Sequence, residues 1–187
     1  MSAEHFLTSQ FLIAMPTLAD ANFSQTVTLV CEHNAQGALG LVINRPMRMR
    51  LSEVFDQLEL GGHNSALNDQ PILHGGPVQP DRGFVIHRAG PAWESTVVVS
   101  DSIHVTTSRD ILNAIAEGCG PTPLCMVLGY AGWEAGQLEA EVSQNAWLTV
   151  PFDESILFTT PFEQRWQAAA KLLGVNMTTL SPHAGHA

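Results

Sequence analysis

Residues 125–151 read CMVLGYAGWEAGQLEAEVSQNAWLTVP and carry the densest set of structural signals in the chain. The apolar run from Leu124 to Tyr130 has the length and composition of a buried strand. Gly129 and Gly132 bracket Tyr130 and Ala131, where a tight turn is expected because glycine tolerates backbone angles that side chains forbid. An amphipathic helix of about a dozen residues follows, with Ala135, Leu138 and Val142 on one stripe and most of the glutamates off it. Asn145 is the expected stop, and Ala146 to Val150 returns as a strand carrying Trp147. The glycine turn has two readings. Its backbone N–H groups could cradle an anion or an acyl oxygen. Alternatively the glycines only permit a tight connection, with Trp133 packed as a lid on the core. The second reading is favoured, since Glu134 would repel an anion and no GxGxxG, P-loop lysine or Gly-x-Ser-x-Gly pattern is present.

Working outward, Phe11 to Met15 reads as the first strand. Thr26 to Glu32 reads as the second, with Val27, Leu29 and Cys31 on one face. The segment HNAQG is a hairpin loop, Ala38 to Asn44 the returning strand, and Pro46 its end. Arg45, Arg48 and Arg50 then form the only basic cluster. Ser52 is expected to cap a short helix through Leu58, and GGHNSALND to form a loop. Pro71 to His74 and Gly83 to His87 read as strands around the turn formers GGPVQPDRG. Thr96 to Ser100 and Ile103 to Thr106 add β structure. Ser108 starts a helix with Ile111, Leu112 and Ile115 inward and Gly118 as its stop. Thr160-Pro161-Phe162-Glu163 matches a capping box, opening a helix through Trp166 that runs to Leu173 and Gly174.

The pattern predicts one α+β domain of about eight strands, mostly in hairpins, and about four helices, with some parallel pairing from the central unit and residues 100–130. Its core spans about 6–175, with residues 176–187 as a C-terminal tail. The chain has 187 residues, 45% of them apolar and 14% charged, which suits one well-packed domain without long disorder. Eight Lys+Arg stand against eighteen Asp+Glu, a formal charge of −10, and no cation precedes Arg45. Such a surface repels phosphate backbones, so direct nucleic-acid binding is not expected. Cys31, Cys119 and Cys125 show no paired framework, as in a reducing compartment. No signal peptide or membrane-spanning run is evident, so a cytoplasmic location without membrane contact is expected.

Six blocks carry a wider resemblance: FLIAMPTLADANF, VCEHNAQGALGLVINRP, HGGPVQPDRGFVIH, TTSRDIL, LGYAGWEAGQLEAEVSQNAWL and FTTPFEQRW. Over Phe11 to Gly174 the chain resembles the AlgH/YqgE family of small bacterial proteins. The resemblance implies a bifurcated β-sheet curled into a pseudo-barrel with helices outside. It implies no enzymatic activity, since none is established for the family. Members are often labelled transcriptional regulators, from a link to exopolysaccharide production. This sequence lacks a helix-turn-helix and is acidic, so any such role is expected to run indirectly through a protein partner or small ligand.

Among candidate chemical residues, Cys31 and His33 should share a strand face, so an imidazolium could depress the thiol pKa and create a redox-sensing thiolate or a nucleophile. The plainer reading makes Cys31 an inert core residue beside Val27 and Leu29. Asn44, Arg45 and Arg82 are candidate ligand-binding residues, since guanidinium groups recognise small acids and phosphates. The Asp81–Arg82 pair also reads as an ordinary surface turn. His33, His74, His87, His104, His183 and His186 show no metal-ligand spacing, so no metal or cofactor is expected. Exposed Trp93 or Trp133 would suit a docking module. Binding or regulation is the function the sequence favours, with thiol chemistry or hydrolysis through Cys31 and His33 as the alternative.

Overall fold

A computed structural model describes residues 6–61 and 65–180. The expected tail from Pro182 onward, with His183 and His186, lies outside the described residues.

The strand that organises the molecule is longer than the sequence pattern suggests. It runs without a turn from Leu124 to Glu134 (β9), straight through Gly129 and Gly132. The expected turn is therefore replaced by a strand that needs glycine for close backbone approach. A Cβ on Gly129, whose φ is +78°, would lie 2.5 Å from the Gly76 carbonyl oxygen. Gly76 in turn passes so near Tyr130 that a Cβ would lie 2.2 Å from its backbone carbon. The helix begins later and is shorter than expected, covering Gln137–Ser143 (α4). Its stop at Asn145 is as expected, with φ +60°. Trp133 is buried, as the lid reading required, and its indole N–H donates to Glu141 Oε1 at 3.3 Å. Trp147, on β10 (Trp147–Pro151), donates to the same oxygen at 3.1 Å. One carboxylate thus satisfies two buried indoles, as buried donors require.

Before β9 the chain forms β1 (Gln10–Ala14), β2 (Val27–Asn34), β3 (Gly37–Val42) and β4 (Pro46–Arg50). Next come α1 (Leu51–Gln57), α2 (Ser65–Asn68), β5 (Pro71–His74) and β6 (Val78–Arg88), then β7 (Thr96–Val98), β8 (Ile103–Thr106) and α3 (Arg109–Ala116). The main strand order is β10-β1-β2-β3-β9-β6-β8-β7. β9 pairs with β3 along Ala131–Glu134 and with β6 along Leu124–Tyr130, both antiparallel. It also pairs with β5 at Val127 and Leu128, the one parallel pair among the described residues, and β5 carries β4. The fold is α+β, a curled and largely antiparallel sheet forming a half-barrel, as the resemblance implied.

Several local expectations are corrected. The basic cluster of Arg45, Arg48 and Arg50 lies at and along a strand. Alternation of Met47 and Met49 with Arg48 and Arg50 makes β4 a strand with one half-buried face. Arg50 rather than Ser52 precedes α1, its backbone N–H donating to Glu53 Oε2 at 2.8 Å. The loop expected over 61–69 contains α2, and the turn-rich VQPDRG belongs to β6. Ser108 does sit at the start of α3, but its hydroxyl donates to Asp110 instead of capping. The Thr160 capping box does not form. Thr160 Oγ1 donates back to the Ser155 carbonyl, closing an unexpected helix α5 (Glu154–Phe158). A 3₁₀ turn (Phe162–Gln164) then leads into α6 (Arg165–Lys171).

Three apolar clusters hold these parts together. The inner face of the sheet, with Phe11, Leu29, Leu41 and Val127, packs against Ile156 and Leu157 of α5 and Ala169 of α6. Phe55, Ile72, Val85, Ile111 and Met126 pack beneath α1 and α3. Leu12, Val30, Trp133, Leu138 and Trp147 pack beneath α4.

Candidate functional site

The expected Cys31–His33 pair is not assembled. The β2–β3 register passes from Val30–Gly40 to Glu32–Leu39, so Cys31 is an extra residue in a β-bulge. A bulge of one residue reverses which face the following side chains occupy. Cys31, 2% exposed, therefore points into the inner cluster with Val27 and Leu29. His33 points to the α4 side, where its Nε2 lies 2.8 Å from Glu139 Oε1. The Leu7 N–H donates to Nδ1 at 2.9 Å, which assigns the ring proton of neutral His33 to Nε2. Burial pushes the Cys31 thiol pKa up, with the nearby Glu32 charge adding to it. A thiol so placed is a poor nucleophile.

His87 is satisfied differently. Its Nδ1 donates to the Arg88 carbonyl at 2.8 Å, so Nε2 accepts from Thr106 Oγ1 at 2.7 Å. Thr106 is in turn 2.9 Å from Thr96 Oγ1. Burial lowers the His87 pKa, partly opposed by the Arg88 carbonyl and reinforced by neighbouring His104.

Two clefts remain. The first, of about 500 Å³, lies between β4, α1, the start of α3 and the sheet. Met47 and Met49 form one wall, Val54 and Leu58 another, and Met126 and Leu128 of β9 the floor. Asp81 and Arg109 stand among the lining residues, and Arg109 Nη2 donates to the Leu58 carbonyl at 2.6 Å, tying α3 to α1. In residues 47–50, MRMR, the arginines draw the eye before these methionines do. The available signal was methionine at alternate positions, which on a strand share one face. Methionine adapts its unbranched, polarisable chain to differently shaped apolar groups.

The second cleft, of about 540 Å³, contains Asn44 and Arg45 with Glu163, Trp166 and Gln167. Arg45 is held by loop carbonyls, with Nη1 donating to Ala21 at 3.1 Å and Asn22 at 2.6 Å, and Nη2 to Ser24 at 3.0 Å. Asn44 accepts from the Val27 N–H and donates to the Gln25 carbonyl. Arg82 does not join them. Its guanidinium lies over the Phe84 ring at 5.2 Å and is not a lining residue of this cleft. Neither cleft has a cysteine or histidine among its lining residues. Trp93 is half-buried and Trp133 buried, so the expected exposed docking tryptophans are not found at these positions.

The chain matches the AlgH-like family over residues 11–178. It is 53% identical over 187 residues to a UPF0301 protein of Thioalkalivibrio sulfidiphilus, covering all of both chains. A UPF0301 protein of Methylococcus capsulatus is 50% identical over 185 residues, covering 99% of this chain and 98% of that one. The solution structure of AlgH from Pseudomonas aeruginosa superposes with a TM-score of 0.80 at 53% identity, covering 100% and 99% of the two chains. A Corynebacterium diphtheriae crystal structure shares the fold at TM-score 0.75 and 16% identity, covering 97% and 94%.

Proposed function

The chain belongs to the AlgH-like family, and from that premise we propose that it is a binding domain rather than a catalyst, taking an apolar group of a ligand or protein partner into the methionine-lined cleft. The observation that carries this reading is the convergence of Met47, Met49 and Met126 on one concave apolar surface. Ligand sites are concave and mostly apolar with a few fixed polar groups, and Asp81 and Arg109 supply such groups here. In this reading the protein works in the cytoplasm and any regulatory effect runs through the bound partner, because a chain of charge −10 is repelled by nucleic acid.

The test is methyl NMR of labelled methionines during titration with anilinonaphthalene sulfonate, together with in-cell cross-linking from the cleft rim. Shifts confined to Met47, Met49 and Met126, with cross-links lost in Met49→Glu, support the proposal. Absent or uniform shifts with unaltered cross-links overturn it.

A further inference from the structure

The second cleft brings together opposite charges that do not neutralise each other. Arg45 and Glu163 both line it, yet neither belongs to an ion pair among the described residues. Arg45 is fixed by three carbonyl contacts made through Nη1 and Nη2, while its Nε–H donates to no protein group among the described residues. Burial lowers its pKa, with the Asp20 charge opposing, so the guanidinium is partly desolvated as well as oriented. A fixed, partly desolvated guanidinium is suited to a carboxylate.

A second cation lies close by. Arg165 is 2% exposed and in no ion pair among the described residues. Its Nη1 donates to the Ile43 carbonyl, next to Asn44, at 2.6 Å, and its Nε to the Thr160 carbonyl. Its guanidinium carbon is 4.4 Å from the centre of the Phe162 ring, which itself lines the cleft. Arg45 and Arg165 thus stand near Asp20, whose charge acts on Arg45, and Glu163, the one carboxylate among the cleft's lining residues. Trp166 and Met177 give the remaining wall an apolar character. Trp166 is anchored through its indole N–H to the Ala14 carbonyl at 2.8 Å.

We infer that this cleft is a site for a free α-amino acid with a large apolar side chain. Its carboxylate meets Arg45, its ammonium meets Glu163, and its side chain lies against Trp166 and Met177. Asn44 is a positioning residue, since its amide is occupied in holding Val27 and Gln25. A zwitterion suits the site better than a plain anion because Glu163 would repel the latter. The site is separate from the methionine-lined cleft and stands or falls independently of it.

The experiment uses the full chain with L-leucine, L-methionine and L-phenylalanine, each at millimolar concentration, followed by the Trp166 indole N–H signal and by calorimetry. The same amino acids are tested as N-acetyl and carboxamide derivatives, which each lack one charge. Binding of at least one free amino acid is expected, weakening about tenfold or more when either charge is removed. Glu163→Gln should reproduce that loss for the free amino acid but strengthen binding of the N-acetyl derivative, whose unbalanced carboxylate Glu163 repels. Glu163 is exposed, so this variant decides the matter even if Arg45→Gln disturbs the loop that Arg45 holds. No response to any of the three amino acids overturns the inference. So does equal affinity for the charged and blocked forms, or indifference to Glu163→Gln.

Discussion

At position 31 a thiol is enclosed on the inner face of the sheet, with Leu29 and Val27 beside it. Iodoacetamide reacts with thiolate, so Cys31 should stay unlabelled in the native protein near neutral pH. Cys125 is also buried, and its pKa is pushed up to about 11 by burial, with Arg165 opposing. It should be protected too, whereas exposed Cys119 should label first. Mass spectrometry before and after denaturation separates the three, and His33→Ala should leave Cys31 labelling unchanged. His87 gives a pH dependence of definite sign. Its folded pKa lies below the ordinary 6.5, so as pH falls through that value the unfolded chain takes up the proton first. The stability contributed by neutral His87 is complete above about pH 6.5 and declines below it. The ring should titrate below its usual range by NMR. The melting temperature should fall between pH 7.5 and 5.5, and a His87→Gln variant that folds should show less of that fall.

Among the elements, α5 is the one whose cap can be tested most directly. Asp153 Oδ1 accepts from the Ile156 N–H at 3.1 Å, satisfying a donor in the first turn. Asp153→Ala should cost about 1 kcal/mol in urea unfolding. Thr160→Ala, which touches no helix N-terminus, should change stability by no more than about 0.5 kcal/mol. The contrast explains what the sequence could and could not reveal. Strands β1, β2, β3, β5 and β8 were legible because each carries its own short apolar or β-branched run. The Thr-Pro-Phe-Glu pattern misled because Thr160 reaches back to Ser155, a preference no local spacing encodes. The Cys31 bulge was invisible for a related reason. An extra residue inverts every later side chain on β2, and only the partner strand reveals it. For the candidate site, Asn44 and Arg45 were legible as unusual polar residues after an apolar strand. Glu163 and Trp166 arrive from more than a hundred residues away, and nothing near residue 45 announces them.

For the whole molecule, the crossing of the β5–β6 connection over β9 is the tightest constraint. Gly76→Ala would place a methyl against the Tyr130 backbone, which cannot move aside without breaking β9 pairing. The expected loss exceeds about 3 kcal/mol, read by urea unfolding or as failure to accumulate folded protein. At the surface, the −10 charge predicts no duplex DNA binding at physiological salt, checked by mobility shift with purified protein. The shared strand β9 also governs the order in which the molecule can be made. Its partners β3, β5 and β6 all precede it, yet they are joined to one another through a strand ending at Glu134. On the ribosome, the first 120 residues therefore emerge with a sheet lacking its central member, and such long-range pairing is slow to form. A nascent chain arrested before Leu124 should remain protease-sensitive. Protection should arise abruptly once β9 has cleared the exit tunnel, which makes the interval before it the period when a chaperone has most to shield.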